Sequence, residues 1–558
     1  MLVHLPYFLF TDRVLLSTTI NSEGEHMDQF MLEKKSKKNS TMLVENTEVA
    51  QLIENVTIYL TMRSIPKANL VATKATKISL SSKGRLIEPG ALIVPLGEIV
   101  TTSKATGIEV LEKGIHILEL LGGILFTITD LKIKPMFLLS HGEQRIVDTL
   151  TADLPMLELP LDWSTNKGGY YLNRQPPLLG KAARFIPKGI TLSTDVLNKL
   201  QAIPWTTSAD NSKLSMFNQA KLYFVWKYDS RGRSYSTGWP LNIQSSQRVK
   251  STLSLANKAI INDYDHLYIA IANHAGKGKL SWEDRIAWTR SSLNTIIDGK
   301  IKWDEPHLGR KAVKALLDTI DDQPTGYWMT LDATASGIQI MAALSGCKET
   351  ASATNMVDPA VRRDLYQEVT TAINSLCTIP TTRKVVKKVV MTFFYNSVKT
   401  PERMLTKDQL AAFYEVIQQL FPGAYKVMDI VNKLWNTNGS HHKWTLPDGH
   451  VAHVPVLGAV KYNTPYGNIH RTELVTSPNY RSLLPNVIHS IDGYIAREMI
   501  RRCDFEVIHI HDCFGSHPNN MGVIAQRYRE IMAEISDSSL LNSIVKELSM
   551  GKSWFPIF

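Results

Sequence analysis

Two aspartates stand out by their surroundings. Asp332 follows the strand-like YWMTL and precedes ATASGIQ, where the pattern turns helical, and Asp512 lies in FEVIHIHDCFGSH, at the tip of an apolar strand–turn–strand. Each carboxylate falls where a hydrophobic strand runs out, at the rim of a sheet. Two such groups brought together repel unless a cation sits between them. Oxygen ligands suit Mg²⁺, although His511 and Cys513 flank Asp512. Two Mg²⁺ about 3.5–4 Å apart can activate an attacking hydroxyl and stabilise a leaving phosphate oxygen. Either aspartate alone would equally suit a helix cap or a turn. The combination carries the expectation.

A third element is TRKVVKKVVMTFFY, Thr382 to Tyr395. On a helix Arg383 and Lys387 are four apart and share a face, and Met391 and Tyr395 continue the same slowly spiralling row. The Val and Phe residues cover the other side. Two cations beside an aromatic ring would grip a nucleoside triphosphate, the cations on the phosphates and the ring near base and sugar. A basic amphipathic helix without such a role would have a similar composition.

The elements that must position these groups follow from periodicity and turn signals. Strand-like runs, such as Val56 to Met62 and Ala91 to Val94, are expected in the first hundred residues. Mixed helix and loop follow over 105–215. A short strand at Leu222 to Trp226 leads into the turn-like DSRGRSYS. Leu308 to Val416 is mainly helical, broken by a strand at Tyr327 to Leu331. A β-hairpin region spans His450 to Thr476, helix resumes from Leu484 to Cys503, strand–turn–strand covers Val507 to Ser516, and a last helix covers Met521 to Glu534.

DATASGIQ at Asp332 to Gln339, the Arg383…Lys387…Tyr395 spacing, and HDCFG at His511 to Gly515 resemble, in order and spacing, the three polymerase motifs of the single-subunit RNA polymerases of phage and mitochondrial type. Three more segments agree: DSRGRSY at Asp229 to Tyr235, PNVIHSIDG at Pro485 to Gly493, and AGKGKLSWEDRIAW at Ala275 to Trp288. The terminal SWFPIF is a weaker match to the family's C-terminal foot. The resemblance covers residues 105–558. It implies an α+β, right-hand polymerase fold with an antiparallel palm sheet, mainly helical fingers, and a reduced thumb and N-terminal region. The corresponding divisions are an N-terminal region of unknown fold, 1–104; an N-terminal and linker region with an abbreviated thumb, 105–220; the first part of the palm, 221–340, with an insertion at 250–325; fingers with a shortened specificity-loop region, 341–483; and the second part of the palm with the foot, 484–558.

Carried over residue by residue, the resemblance implies that Asp332 and Asp512 hold two Mg²⁺, with the Ala333 carbonyl as a further ligand. Arg383, Lys387 and Lys279 would bind the triphosphate, and Lys387 would also protonate the leaving pyrophosphate. Tyr395 with His489 would sense the ribose 2′-hydroxyl. Tyr366 would line the nucleotide pocket, Arg233 would contact nucleic acid near the growing end, and His511 would support the catalytic turn. The implied partners are a DNA template, an RNA product and NTPs. A primase-like or DNA polymerase activity, or an inactive nucleic-acid-binding subunit, are the alternatives. The intact Asp332, Asp512, Arg383 and Lys387 argue against the last.

Two departures concern the motifs: Asn396 follows Tyr395 where the family has Gly, and Cys513 follows Asp512 where Ser is usual. A larger one is length. About 17 residues separate Trp205 from Tyr223, where relatives carry a long helical thumb, and the stretch from Tyr395 to His489 is also short. Little protein is left for reading duplex promoter DNA, which points to help from a single-stranded-DNA-binding or promoter-recognition protein, or to an already opened template.

Composition fits this reading. The 558 residues carry 62 Lys plus Arg against 52 Asp plus Glu, a formal charge of +10, which favours polyanion partners. Lys34, Lys35, Lys37 and Lys38 form a polar cluster, either a solvated loop or a phosphate-binding patch. Four Cys without a Cys-x-x-Cys pair argue against a zinc site or a secreted disulfide framework. The longest apolar stretch, Leu120 to Thr129, is too short for a bilayer, which needs about 20 residues, so no membrane association is expected. The opening MLVHLPYFLFTDR lacks a basic n-region and a cleavage site, so neither a signal nor a transit peptide is expected. The cytoplasm of a phage-infected bacterium is the expected location.

Overall fold

The computed structural model describes residues 48–550, apart from 103–104, 138–154, 164–167, 172–176, 180–184, 186–191, 209–219, 239–240 and 358–361. The lysine cluster at Lys34 to Lys38, the N-terminal MLVHLPYFLFTDR and the terminal SWFPIF lie outside the described residues.

Residues 48–100 correct the strand expectation. They form helices α1 (Glu48–Thr61), α2 (Ala68–Ser81) and α3 (Pro89–Val100). Val56 and Leu60 are both fully buried four residues apart, as are Leu92 and Leu96. The helical period therefore decided the outcome over the β-branched composition of VTIYLT. Helix α4 (Gly107–Leu121) is entered through a capping box between Thr106 and Glu109. It packs on α3 at glycines: a Cβ on Gly97 would strike the Val110 carbonyl, and one on Gly114 the Ile93 carbonyl. A hairpin of β1 (Phe126–Thr129) and β2 (Lys132–Pro135) closes this small core. The residue-104 division expected from sequence thus falls within one hydrophobic cluster, which runs from Val56 to Ile133 and also takes in Ile469.

The larger core begins with α5 (Thr194–Gln201), β3 (Trp205–Thr207), β4 (Trp226–Tyr228), β5 (Ser234–Ser236) and β6 (Leu253–Leu255). The strand expected at Leu222 to Trp226 lies slightly later. Leu222 and Tyr223 make only isolated bridges, and DSRGR is the turn joining the antiparallel β4 and β5. Helices α6 (Tyr264–Ala272), α7 (Trp282–Ser291) and α8 (Pro306–Ile320) precede β7 (Met329–Asp332). Then come α9 (Ser336–Ser345), α10 (Leu365–Leu376), α11 (Arg383–Phe393), α12 (Lys407–Leu420) and α13 (Pro422–Lys433).

The expected hairpin region is richer than read. β8 (His441–Thr445) pairs with β9 (Val451–Pro455), and β10 (Leu457–Thr464) pairs with β11 (Gly467–Leu474). The second hairpin leans on the N-terminal helices through buried Ile469 and an Arg471–Glu98 ion pair at 3.5 Å. Helix α14 (Leu483–Arg502), β12 (Ile508–Ile510) and β13 (Cys513–Ser516) follow as read. The helix expected to be last, α15 (Met521–Asp537), is followed by α16 (Leu540–Ser549). The sheet that matters most is the antiparallel β12–β13–β7, in which Asp332 is the register partner of Cys513. No helix among the described residues is long and apolar enough to cross a membrane.

Candidate functional site

β7 is buried at its start and open at its end, so the chain delivers Asp332 to the sheet rim as the apolar residues run out. Asp512 sits one residue before β13, beside Asp332 across the sheet, and the Ala333 N–H donates to the Asp512 carbonyl at 3.4 Å. Sequence reasoning placed these two together, and the structure does so. Asp332 is solvent-exposed at the cleft mouth. Even so, the protein around it and then the Asp512 charge push its carboxyl up to about 6, with the Lys387 ammonium opposing. Water in the open cleft screens part of that rise. Beside the protein that surrounds the carboxyl, the Asp512 charge at the adjacent position raises it further.

Both aspartates line a cavity of about 610 Å³ together with Thr330, Ala333, Arg285 and Arg362. Among the described residues no group of three or more His, Cys, Asp or Glu side chains forms a metal site. Asp332, Asp512 and Ala333 on the cavity wall would offer a cation hard oxygen ligands, as Mg²⁺ prefers. Burial, then the Asp332 charge, pushes the Cys513 thiol up to about 12, and a soft sulfur suits a hard cation such as Mg²⁺ poorly. The residues present fit the ion.

Helix α11 is anchored by Val386, Val389, Val390 and Phe393, all buried on one face. Each contributes about 1.5–3 kcal/mol. The opposite face carries the cations. Arg383 donates to both oxygens of Asp364, at 2.8 and 2.9 Å. Asp364, which also caps α10, is held below the usual carboxylate range: burial would raise it, but the Arg383 hydrogen bonds outweigh that. Lys387 is exposed. Both cations stand 5.6 Å from the ring of Tyr366. Burial raises the Tyr366 hydroxyl to about 12.

Tyr395 requires a correction. It does not lie on the helical row of Arg383 and Lys387, because α11 ends at Phe393 and Tyr395 follows in a turn. The cause is Asn396, whose φ of 67° reverses the chain. Its side chain exchanges hydrogen bonds with Asn432 at 2.6 and 3.0 Å. This position is thus left-handed, and Asn is among the few residues besides Gly that enter this region readily. Asn396→Ala is expected to cost about 1–3 kcal/mol, from the strained φ and the lost pair. Asn396→Gly should cost less. Urea denaturation checks this, and an alanine variant with the wild-type midpoint would contradict it. Ala335 (φ 53°) and His511 (φ 58°) are left-handed too, so backbone strain gathers around the two aspartates.

Burial raises the Tyr395 hydroxyl to about 12, so it keeps its proton at neutral pH. A Cβ on Gly337 would come within 2.9 Å of that hydroxyl, which gives the glycine of DATASGIQ a reason. The His489 ring lies 5.4 Å from the Tyr395 ring. His511 stacks edge-on to Tyr235 at 5.4 Å, and its buried Nδ1 has no hydrogen-bond partner among the described residues. Arg233 is committed to Asp492 by a 2.8 Å ion pair of low exposure. Lys279 is exposed and does not line the cavity. Arg285 and Arg362 do, each donating to the Gly278 carbonyl at 2.7 Å.

Those two arginines were not singled out by sequence reasoning. Nor was the buried network that seats the DSRGR turn. Arg497, with a fully buried side chain, binds Asp448 at 2.5 Å and donates to the Gly232 carbonyl at 2.7 Å. Gly493 on α14 meets the Gly232 backbone so closely that a Cβ would collide. The only sequence signals were an Asp in TLPDG and the glycines themselves.

Residues 261–444 match the family model described as DNA-dependent RNA polymerase. The chain is similar to a probable DNA-directed RNA polymerase of Gelasinospora sp. (strain G114), 25% identical over 388 residues, 55% of this chain and 47% of the relative. It is similar to the mitochondrial DNA-directed RNA polymerase 1 of Arabidopsis thaliana, 23% identical over 59% of this chain and 41% of the relative. It is also similar to the mitochondrial DNA-directed RNA polymerase of Homo sapiens, 22% identical over 57% of this chain and 32% of the relative. The matched stretches span less than half the length of these relatives. Such relatives lend no support to the phage origin and bacterial cytoplasm expected above.

Proposed function

We propose that this chain, which belongs to the single-subunit DNA-dependent RNA polymerase family, performs template-directed RNA synthesis from NTPs. One observation carries the reading. Asp332 and Asp512 meet at adjacent strand ends, with the Lys387 ammonium close enough to draw the Asp332 carboxyl downward and to stand over Tyr366.

In this reading the β12–β13–β7 sheet is the palm of a right-hand fold. Residues 221–340 and 484–558 contribute to it, with an insertion at 250–325, and the mainly helical 341–483 forms the fingers. Residues 105–220 hold an abbreviated thumb. Asp332, Asp512 and the Ala333 carbonyl would hold two Mg²⁺. Bound there, the ions supply activation of the RNA 3′-hydroxyl and stabilisation of charge on the leaving oxygen. Lys387 and Arg383 receive the triphosphate, which shares Arg383 with Asp364, and Lys279 meets its outer end from solvent. Lys387 delivers a proton to the departing pyrophosphate. Tyr366 walls the pocket, Arg233 orders the nucleic-acid side through Asp492, and His511 holds the turn that carries Asp512.

Tyr395 and His489 face the sugar. Tyr395→Phe is expected to lower the preference for NTPs over dNTPs about tenfold, the effect of one hydrogen bond to a charged or well-placed partner. Parallel incorporation of both nucleotide classes on one template measures it, and unchanged preference would remove Tyr395 from this role.

The DNA template is held chiefly through its phosphates, so activity falls with salt. With a short thumb region and short specificity hairpin, the chain relies on a helper protein or an opened template. Transcription by the purified chain on duplex and on single-stranded DNA tests both parts. Mg²⁺-dependent RNA synthesis on single-stranded DNA supports the activity. Equal rates on a duplex promoter would overturn the need for a helper.

A further inference from the structure

Arg231 sits in the β4–β5 turn between Asp229 and Arg233. One side of its guanidinium is fixed: Nε and Nη2 donate to Asp229 Oδ2 at 2.9 and 2.5 Å, and the backbone N–H donates to Oδ1 at 2.9 Å. The remaining nitrogen, Nη1, stands 2.7 Å from Nδ1 of His489, 258 residues away on α14. A guanidinium carries only donors and does not give up its proton in a protein. Two donors cannot share a hydrogen bond, so Nδ1 of His489 is the acceptor. The ring is then neutral, with its one proton on Nε2.

The surroundings favour the same state. His489 is pushed down to about 3, first by burial and then by the charges of Arg233, Arg231 and His511. Its Nε2 has no protein partner among the described residues, and the ring lies against Tyr395, tilted by 46°.

Resting on the reading that His489 and Tyr395 face the substrate sugar, we propose that Arg231 is a positioning residue that locks His489 in its Nε2–H tautomer and makes it an obligate hydrogen-bond donor to the ribose 2′-oxygen. The 2′-hydroxyl can then accept from His489 while its own proton serves Tyr395. A deoxynucleotide leaves the Nε2–H unanswered, so an arginine that touches no substrate contributes to ribose selection. Asp229 has a matching part, because it holds Arg231 from behind.

The test has two arms. The first needs no activity: the histidines are labelled with ¹⁵N, and the His489 signal is assigned by its loss in His489→Gln. The wild type is expected to show a neutral Nε2–H ring from pH 6 to 8, Arg231→Met a mixture of tautomers, and Arg231→Lys, which keeps a donor, the wild-type form. The second arm compares NTP and dNTP incorporation. Arg231→Met should lower discrimination about tenfold, and should change it little in a His489→Gln background, since a residue acting through another adds nothing once that other is gone. A proton on Nδ1 in the wild type overturns the proposal. So does an unchanged tautomer in Arg231→Met, or an undiminished Arg231→Met effect without His489. If the polymerase reading itself fails, no variant incorporates nucleotide, and the first arm still decides the Arg231–His489 arrangement.

Discussion

Asp332→Asn should abolish Mg²⁺-dependent nucleotide incorporation while making the fold more stable above pH 6. The loss follows from the donor set. With one of two carboxylates replaced by a neutral amide, several kcal/mol of charge stabilisation disappears, a rate loss of about 10³-fold or more. The gain in stability follows from the repulsion the site stores. The Asp332 carboxyl lies at about 6 in the fold against an ordinary 3.8, through burial and the Asp512 charge. Between those values the folded state holds a proton that the unfolded state has released. Stability therefore falls as pH rises from about 4 through 6, and stays lower above. Asparagine carries no charge and removes that dependence. Melting temperatures of wild type and variant at pH 5 and pH 8, with no divalent ion present, measure the effect. The variant should gain most at pH 8. Protons should also compete with metal, so activation by Mg²⁺ weakens as pH falls through about 6. An Asp332→Asn or Asp512→Asn enzyme with near-normal incorporation would overturn the assignment of these carboxylates to the ion.

What could be read in the sequence was whatever a short window determines. The strand ends at Asp332 and Asp512 were legible because apolar alternation stops there. The face of α11 was legible because Val386, Val389, Val390 and Phe393 recur at helical spacing. The same local logic failed over residues 48–100. A run such as VTIYLT has strand composition, and only its burial at four-residue intervals makes it helix. It failed again at Tyr395, because an Asn after an aromatic residue reads as helix interior until its φ of 67° is known.

The partners of the site were not legible, for a different reason. Arg233 with Asp492, Arg231 with His489 and Arg497 with Asp448 each join residues far apart in the chain, by 259, 258 and 49 positions. No periodicity encodes such pairs. Charge alone named too many candidates: Lys279 was singled out from a loop with several cations, yet the arginines that line the cavity are Arg285, Arg362 and Arg529.

Lys387 offers the second large effect, and one that separates binding from chemistry. Its ammonium is exposed, 5.6 Å from the Tyr366 ring, and it draws the Asp332 carboxyl down against burial. Arg383, one turn earlier, already shares its charge with Asp364, whereas Lys387 has no ion-pair partner among the described residues. It is therefore the cation most open to an incoming phosphate. Lys387→Met should lower kcat/KM by about 10²–10⁴-fold, the usual range for a positioned acid. It should also move the loss of Mg²⁺ activation at low pH to a higher pH, because Asp332 loses a positive charge that draws its carboxyl down. Lys387→Arg distinguishes the two roles. A guanidinium keeps the charge but does not release a proton, so KM for NTP should stay within a few-fold of wild type while kcat falls nearly as far as in Lys387→Met. Full kcat in the arginine variant would leave Lys387 a phosphate-binding charge and place the proton donor elsewhere.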